Sequence, residues 1–225
     1  MNKKTIDGDN NKNPDHKFSG IPLPKPFLIW QSKARLEAFK KMKKNHSGAV
    51  RTMPAHLPVL ATFGEGDFPV NLTTRGIGLL PKSEVIKEIT NDLESTIRET
   101  KGKPWPETLS QRLTSIRKFY ENPDLFDETR LGGLEIFEGQ TLKNLKSNSR
   151  AALLYTGAAP AYASYQFNGV VQLINQDDPC YRFLLAAREL FAQDAFHIHQ
   201  IYYPYGYLFY PVEIKDKTPF PRRAH

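Results

Sequence analysis

The stretch from Leu131 to Ile174 constrains the fold most, because short apolar runs alternate in it with turn signals. In order, it predicts a strand over Leu134–Phe137, a helix over Gln140–Lys146, a buried strand over Ala151–Tyr155, a turn at Gly157–Pro160 and a long strand over Tyr162–Ile174. Gly169 predicts a bulge within the long strand.

The flanking segments supply one hairpin, several helices and a closing strand. The predicted strands are Leu57–Phe63 and Phe68–Thr74, joined by a glycine-rich turn, and Tyr207–Ile214 near the end of the chain. The predicted helices are Gln31–Asn45, Pro81–Lys101 with Ser83 as its N-cap, Glu107–Tyr120, and Gln176–Phe191 with Asp177 or Asp178 as cap and Pro179 at its start. Gly76 and Gly78 predict close backbone approach by a ligand or another strand.

The order of strand, TLKNLKSNSR helix, apolar strand, turn and long strand with a central Asn-Gly resembles the FMN-binding split barrels related to pyridoxamine-phosphate oxidase. In that family the helix is commonly followed by Asn-Pro-Arg, which corresponds here to Asn148-Ser149-Arg150. The first hairpin is similar more loosely. The resemblance implies an α+β fold, a mainly antiparallel split β-barrel with peripheral helices. The two helices within about residues 83–122 are then a helical-hairpin insertion.

The same resemblance implies an FMN cofactor, a homodimer with the flavin at the subunit interface, and two-electron transfer to or from a small-molecule substrate. A phosphate dianion needs cations with hydroxyl or amide donors, and the flavin ring needs an apolar slot with polar groups at its rim. The predicted phosphate ligands are Arg75, Thr74, Thr141, Lys143, Asn144 and Arg150, and the predicted ring-lining residues are Tyr162, Ser164 and Gln166. No catalytic residue is assigned, and whether the chain is an enzyme stays open.

Composition indicates one domain of residues 21–225 behind a disordered polar tail of residues 1–20, within a chain of 225 residues. The formal net charge of +7 suits either an ordinary basic surface or an anionic ligand, and nucleic acid is the less favoured partner. The start of the chain has no apolar core of a secretory signal, and no apolar run is long enough to span a bilayer. With Cys180 as the one cysteine, we expect a cytoplasmic protein.

Two alternatives to a flavin protein remain open. His197 and His199 have the spacing of a strand pair that could ligate haem or a metal, but nothing in the sequence fixes a third ligand. The lysine-rich helix Gln31–Asn45 could instead dock an acidic partner or a membrane surface, in a non-enzymatic binding protein. The GxGxxG, P-loop, GxSxG and HExxH motifs are all missing, which argues against the common nucleotide-binding and hydrolase sites.

Overall fold

The computed structural model describes residues 18–45, 55, 57–157, 162–192, 200 and 202–219. The elements are α1 (Lys25–Asn45), β1 (Val59–Phe63), β2 (Val70–Thr74), β3 (Ile77–Pro81), α2 (Ile86–Thr100), α3 (Trp105–Glu121), β4 (Phe126–Leu134), α4 (Gln140–Ser147), β5 (Arg150–Thr156), β6 (Ser164–Ile174), α5 (Pro179–Glu189) and β7 (Gly206–Asp216). This is an α+β fold with a mainly antiparallel sheet, as predicted.

The seven strands form one sheet in the order β2-β1-β5-β6-β7-β4-β3, and each paired neighbour is antiparallel. β2 and β3 are the two edges, so the barrel is split between them. The sheet curls enough that the hydroxyl of Tyr155 on β5 donates to the carbonyl of Ile77 on β3, at 3.0 Å. The β6–β7 register shifts between Asn168 and Gly169, which confirms the predicted bulge.

Helix α1 fills the concave side of the sheet with aromatic side chains. Phe27 has no exposed surface, and its ring centroid lies 5.1 Å from that of Tyr155 and 4.7 Å from that of Phe167. The apolar side chains of β1, β5 and β6 that face it, such as Leu60 and Leu153, are fully buried. Burial of this size is the main stabilising term of such a core.

Helices α2, α3 and α5 form a second layer, in which one buried arginine joins two helix ends. Arg112 of α3 donates to the carbonyl of Thr100, the last residue of α2, and to that of Leu190, the C-cap of α5. The carbonyls at a helix C-terminus have no partner within the helix and carry partial negative charge, so a cation there is stabilising. The two helices predicted between the first hairpin and the central strands are present in the structure as α2 and α3.

Two predictions in this region are wrong. Of the predicted strand Leu134–Phe137, only Leu134 is in a strand, because it is the last residue of β4. That strand lies mainly before the predicted one and includes Gly132 and Gly133. The glycines allow this because a β-carbon on Gly132 would lie 2.6 Å from the Leu80 side chain of β3. The long helix predicted from Pro81 starts at Ile86, because residues 77–81 form β3.

The caps also differ from the sequence predictions at one place and agree at another. Ser83 does not cap α2; its hydroxyl accepts from Arg130 Nη2 at 3.0 Å, and the N-cap is Val85 without a side-chain bond. Asp178 does cap α5, accepting from the backbone N–H of Cys180 at 2.7 Å, with Pro179 next to it. Boundary differences of this kind arise because long-range partners compete with local signals.

The ends of the chain lie partly outside the described residues. Of the tail predicted to be disordered, residues 18–20 are described, and the Phe18 ring lies 5.8 Å from that of Tyr210. Residues 1–17 lie outside the described ranges. Among the helices that are described, none combines the length and the apolar character needed to cross a bilayer.

Candidate functional site

The clearest concentration of buried polar groups lies where β2 ends beside the start of α4. It comprises Thr62, Asn71, Arg75, Glu135, Thr141 and Asn144, which we call the Arg75 cluster. Arg75 follows directly after β2, and only 12% of its side chain is exposed. Its Nη1 atom donates to the Thr73 hydroxyl at 2.6 Å and to the Thr74 carbonyl at 3.1 Å, which fixes the guanidinium against the edge strand.

Hydroxyl and amide side chains tie α4 to the concave side of β1 and β2. The Thr141 hydroxyl accepts from Asn71 Nδ2 at 3.1 Å and from Arg75 Nη2 at 3.5 Å. The Asn144 amide donates to the Thr62 hydroxyl at 3.2 Å. Thr141 and Asn144 are buried because they lie on the same side of α4 as Leu142 and Leu145, the apolar positions that hold the helix to the sheet.

A buried carboxylate faces the arginine. Glu135 has no exposed surface; its Oε1 atom lies 3.5 Å from Arg75 Nη2 and accepts from the backbone N–H of Phe137 at 2.9 Å. Burial raises the pKa of the Glu135 carboxyl, and the nearby guanidinium and backbone N–H groups offset only part of this. Glu135 Oε2 and Arg75 Nε are both buried without a hydrogen-bond partner.

The N-terminus of α4 adds partial positive charge to the same place. Its N-cap is Gly139, so no side chain caps the helix, and Thr141 lies in the first turn. A β-carbon on Gly139 would meet nothing within 4 Å, so the turn in front of the helix is open. Free N–H groups at a helix start favour anions. Arg75 contacts the Thr141 hydroxyl in this first turn, so the guanidinium and the helix start lie near each other.

The structure brings together three of the nine predicted FMN residues, which are Arg75, Thr141 and Asn144. The other cations point elsewhere: Lys143 and Arg150 are exposed, on α4 and at the start of β5. Thr74 is exposed and contributes its carbonyl to Arg75. Tyr162 is 57% exposed and has a positive φ of 40°, a conformation that side chains other than glycine rarely adopt.

Two of the three predicted ring-lining residues, Ser164 and Gln166, lie on the opposite side of the sheet from the Arg75 cluster. Paired residues of adjacent strands share a face. The convex side, which we call the outer face, therefore carries Val59, Ala61, Phe63, Val70, Leu72, Thr74, Arg150, Ala152, Leu154, Thr156, Ser164, Gln166 and Asn168. Gln166 of this face donates to Asn168 Oδ1 at 2.9 Å. Within one chain, Ser164 and Gln166 therefore do not line the same pocket as Thr141 and Asn144.

The outer face has an apolar end at the edge of the sheet. Leu72 is 65% exposed and Val70 is 50% exposed, both on the edge strand β2. Phe68, in the turn before β2, is 95% exposed, and Leu154 on β5 is 37% exposed. Apolar side chains grouped in this way on a sheet edge are typical of a surface that another chain covers.

The predicted histidine site falls on residues that the structure does not describe. His197 and His199 lie outside the described ranges, as do the other four histidines of the chain. Within those ranges, no group of three or more His, Cys, Asp or Glu side chains could hold a metal ion. Cys180 is buried, and burial raises the pKa of its thiol to about 12, so it is a poor nucleophile at neutral pH.

Glu135, Asn71 and Thr62 of the Arg75 cluster are not among the residues predicted from the sequence. Glu135 carries a signal that was available, because it is the one acidic residue inside the apolar run from Leu131 to Ile136, and a carboxylate there is buried when the strand is. Asn71 and Thr62 carry no such signal. Their roles depend on the β1–β2 register, in which Thr62 pairs with Asn71.

Comparisons with known proteins give only distant likenesses. No model of a protein family matches the sequence, and no curated protein matches it. Two solved structures of HupZ from Group A Streptococcus align with TM-scores of 0.40 and 0.38 at 13% identity; the first covers 80% of this chain and 93% of HupZ, and the second, a histidine-to-alanine variant of HupZ, covers 72% and 89%. A provisionally named pyridoxamine 5′-phosphate oxidase from Listeria innocua aligns at 0.40 and 12% identity, over 84% of this chain and 98% of that one. The assignments therefore rest on this chain's own residues.

Proposed function

We propose that this chain binds FMN, with the flavin phosphate at the Arg75 cluster, and uses it for two-electron transfer to or from a small molecule. The observation that carries the proposal is that Arg75 and Thr141, predicted as phosphate ligands from distant parts of the sequence, meet beside the uncapped start of α4. Two independent sources of positive charge then act on one anion, the guanidinium and the helix N-terminus.

The donors fit a phosphate group if Glu135 is protonated. Arg75 Nε is a buried donor without a partner, and the open turn at Gly139 leaves room in front of the helix. Glu135 opposes the fit while it is ionised, because its negative charge lies 3.5 Å from the same guanidinium. When Glu135 is protonated, the set carries net positive charge and suits a phosphate. Lys143 and Arg150 are not required by this arrangement.

The protein residues position the cofactor, and the chemistry is that of the flavin. FMN, when bound, supplies reversible two-electron transfer. Arg75 and Thr141 would hold the phosphate and thereby fix the position of the rest of the molecule, and Asn71 holds the Thr141 hydroxyl in place at 3.1 Å. Asn144 and Thr62 keep α4 against the sheet, which preserves the direction of the helix N-terminus.

We further propose that a second copy of the chain covers the apolar end of the outer face. Val70, Leu72 and Leu154 would be buried there, and an FMN held at the interface would be lined by both chains. Sedimentation of the purified protein tests this: we expect a dimer, and a monomer for Leu72→Asp. Ile29→Asp is the matched control, since Ile29 is 44% exposed on α1. A wild-type monomer at micromolar concentration would contradict the proposal.

An absorption spectrum of the purified protein, as isolated and after FMN is added and the excess removed, tests the cofactor. We expect protein-bound flavin bands at about one FMN per chain, which decrease in Arg75→Met. The reduced spectrum after addition of a nicotinamide donor would then identify an electron source. A colourless protein that releases all added FMN would contradict the proposal.

A haem protein is the second candidate. The Arg75–Glu135 ion pair favours it, since an arginine neutralised by a carboxylate leaves little net charge for a phosphate dianion. Haem needs an axial ligand instead, which His197 or His199 of the sequence could supply. A Soret band on addition of haem, lost in His197→Ala or His199→Ala, together with no flavin uptake, would favour this function over the first.

A further inference from the structure

The ion pair between Arg75 and Glu135 is incompletely satisfied. One oxygen and one nitrogen form the contact, Glu135 Oε1 and Arg75 Nη2, 3.5 Å apart. The other carboxylate oxygen, Oε2, and the guanidinium Nε are buried without any hydrogen-bond partner. A strong arginine–carboxylate pair is bidentate, with two parallel hydrogen bonds. Arg75 stays fixed to the edge strand through its Nη1 bonds to Thr73 and Thr74. The contact with Glu135 is a single long one, so an anion competes with the carboxylate only for the Nη2 and Nε donors.

Few charged groups surround Glu135. Arg75 faces it from the connection between β2 and β3, and Glu138 lies near it in its own loop. The α4 groups close to it are the neutral Thr141 hydroxyl and the helix start, while Lys143 and Lys146 of that helix are exposed. Arg75 is therefore the main cation that stabilises an ionised Glu135. If the Nη2 and Nε donors of Arg75 bind another anion, the carboxylate is left buried and unpaired, and it takes up a proton instead.

We propose that protonation of Glu135 controls anion binding at Arg75, an arrangement that we call the Glu135 latch. Ionised Glu135 neutralises the Arg75 charge at Nη2, and protonated Glu135 leaves that charge and the Nη2 and Nε donors available to a phosphate-like dianion. Binding of the anion transfers one proton from solvent to the Glu135 carboxylate: an O–H bond forms on Glu135 as one breaks in hydronium or the buffer acid, and no other bond changes. The inference rests on the proposed function in so far as the natural anion is the phosphate of FMN, but the latch itself requires only a tetrahedral dianion.

Sulfate is the sharpest probe, because it does not change its own protonation between about pH 5 and pH 8, unlike a phosphate monoester. Calorimetric titration with sulfate in two buffers of different ionisation enthalpy measures proton uptake directly in the wild-type protein. We expect uptake of up to one proton per sulfate, and an affinity that rises up to about tenfold for each pH unit lowered. Glu135→Gln should bind sulfate at every pH without proton uptake. Glu88→Gln, at an exposed position on α2, is the matched control and should behave as the wild type.

The outcomes separate the latch from the flavin function. Wild-type binding without proton uptake, an unchanged pH dependence in Glu135→Gln, or no sulfate binding by either protein would overturn the latch. The same titrations with FMN, on the wild type and on Glu135→Gln, test flavin binding separately. Sulfate binding that is coupled to Glu135, with no FMN bound by either protein, upholds the latch and overturns the flavin function. FMN binding whose pH dependence is the same in both proteins upholds the flavin and overturns the latch.

Discussion

Arg112 and Arg75, two arginines with little exposed surface, differ in what their donors do. Arg112 is 3% exposed, and its donors bond the Thr108 hydroxyl and the carbonyls of Thr100 and Leu190 while the guanidinium stacks on Trp105 at 5.5 Å. Arg75 keeps one buried donor without a partner and shares its charge with a single carboxylate oxygen. A satisfied buried cation stabilises a fold, whereas an unsatisfied one is available to a ligand. We therefore expect Arg112 to serve stability, and we propose that Arg75 serves binding.

Replacement of Arg112 is expected to have the largest effect. Arg112→Met leaves the Leu190 carbonyl without its side-chain donor and the Thr100 carbonyl with only the Lys103 backbone N–H, so the free energy of unfolding should fall by about 2–4 kcal/mol. Chemical denaturation measures it. Arg117→Met is the control, since Arg117 forms an exposed pair with Glu121 and its loss should change stability by less than about 1 kcal/mol. Equal losses of stability in the two variants would contradict the stabilising role of Arg112.

Replacement of Arg75 should separate binding from stability. In Arg75→Met we expect FMN affinity to fall at least about tenfold, or 1.4 kcal/mol. The free energy of unfolding should fall by only about 1–2 kcal/mol, because Glu135 can bind a proton rather than remain an unpaired buried anion. Arg98→Met, at an exposed position on α2, is the control for both measurements. A stability loss as large as that of Arg112→Met would show that Arg75 is structural.

The pH dependence of stability tests whether Glu135 titrates as a buried carboxyl. Because burial raises its pKa in the folded protein, its contribution to stability is present at low pH and is lost as pH rises through the folded pKa. The wild type should therefore lose stability relative to Glu135→Gln over that window, by at most about 1.4 kcal/mol per pH unit. Denaturation at a series of pH values gives both curves. Parallel curves would mean that Glu135 titrates as an ordinary exposed carboxyl.

Loss of the Thr141 hydroxyl should have the smallest effect. Thr141→Val removes the acceptor shared by Asn71 and Arg75, which should lower the free energy of unfolding by about 1 kcal/mol and weaken FMN binding a few-fold. Thr114→Val is the control, because the Thr114 hydroxyl bonds only the Ser110 carbonyl on the exposed side of α3. FMN binding that is unchanged in Thr141→Val would remove Thr141 from the phosphate site.

Local patterns were enough to predict most of the fold. The apolar run Ala151–Tyr155 lies within β5, the Gln140–Lys146 spacing forms α4, and the Asp178-Pro179 pair starts α5. The failures occur where a neighbouring strand decides the backbone. The strand predicted to begin at Leu134 ends there instead and includes Gly132 and Gly133, which lack the side chains that Leu80 and Gly76 would block. Propensity alone does not contain that contact.

The candidate site was predictable only in part. Hydroxyl and basic residues near α4 identify the region, but burial divides them: Thr141 and Asn144 face the sheet, and Lys143 between them faces solvent. The alternation along β6 was recognised for Ser164 and Gln166, but which side of the sheet they occupy depends on register with β5. The pairing of Arg75 with Glu135 joins residues sixty positions apart in the sequence, and no local pattern predicts it.

The most direct test of the central claim is the ratio of FMN affinity to riboflavin affinity, measured by flavin fluorescence for the wild type and for Arg75→Met. Riboflavin lacks the phosphate but keeps the ring, so the ratio isolates the phosphate contribution. We expect FMN to bind the wild type at least about tenfold more tightly than riboflavin, and the ratio to fall close to one in Arg75→Met. A wild-type ratio near one, or a ratio that Arg75→Met leaves unchanged, would contradict the assignment of Arg75 to the phosphate.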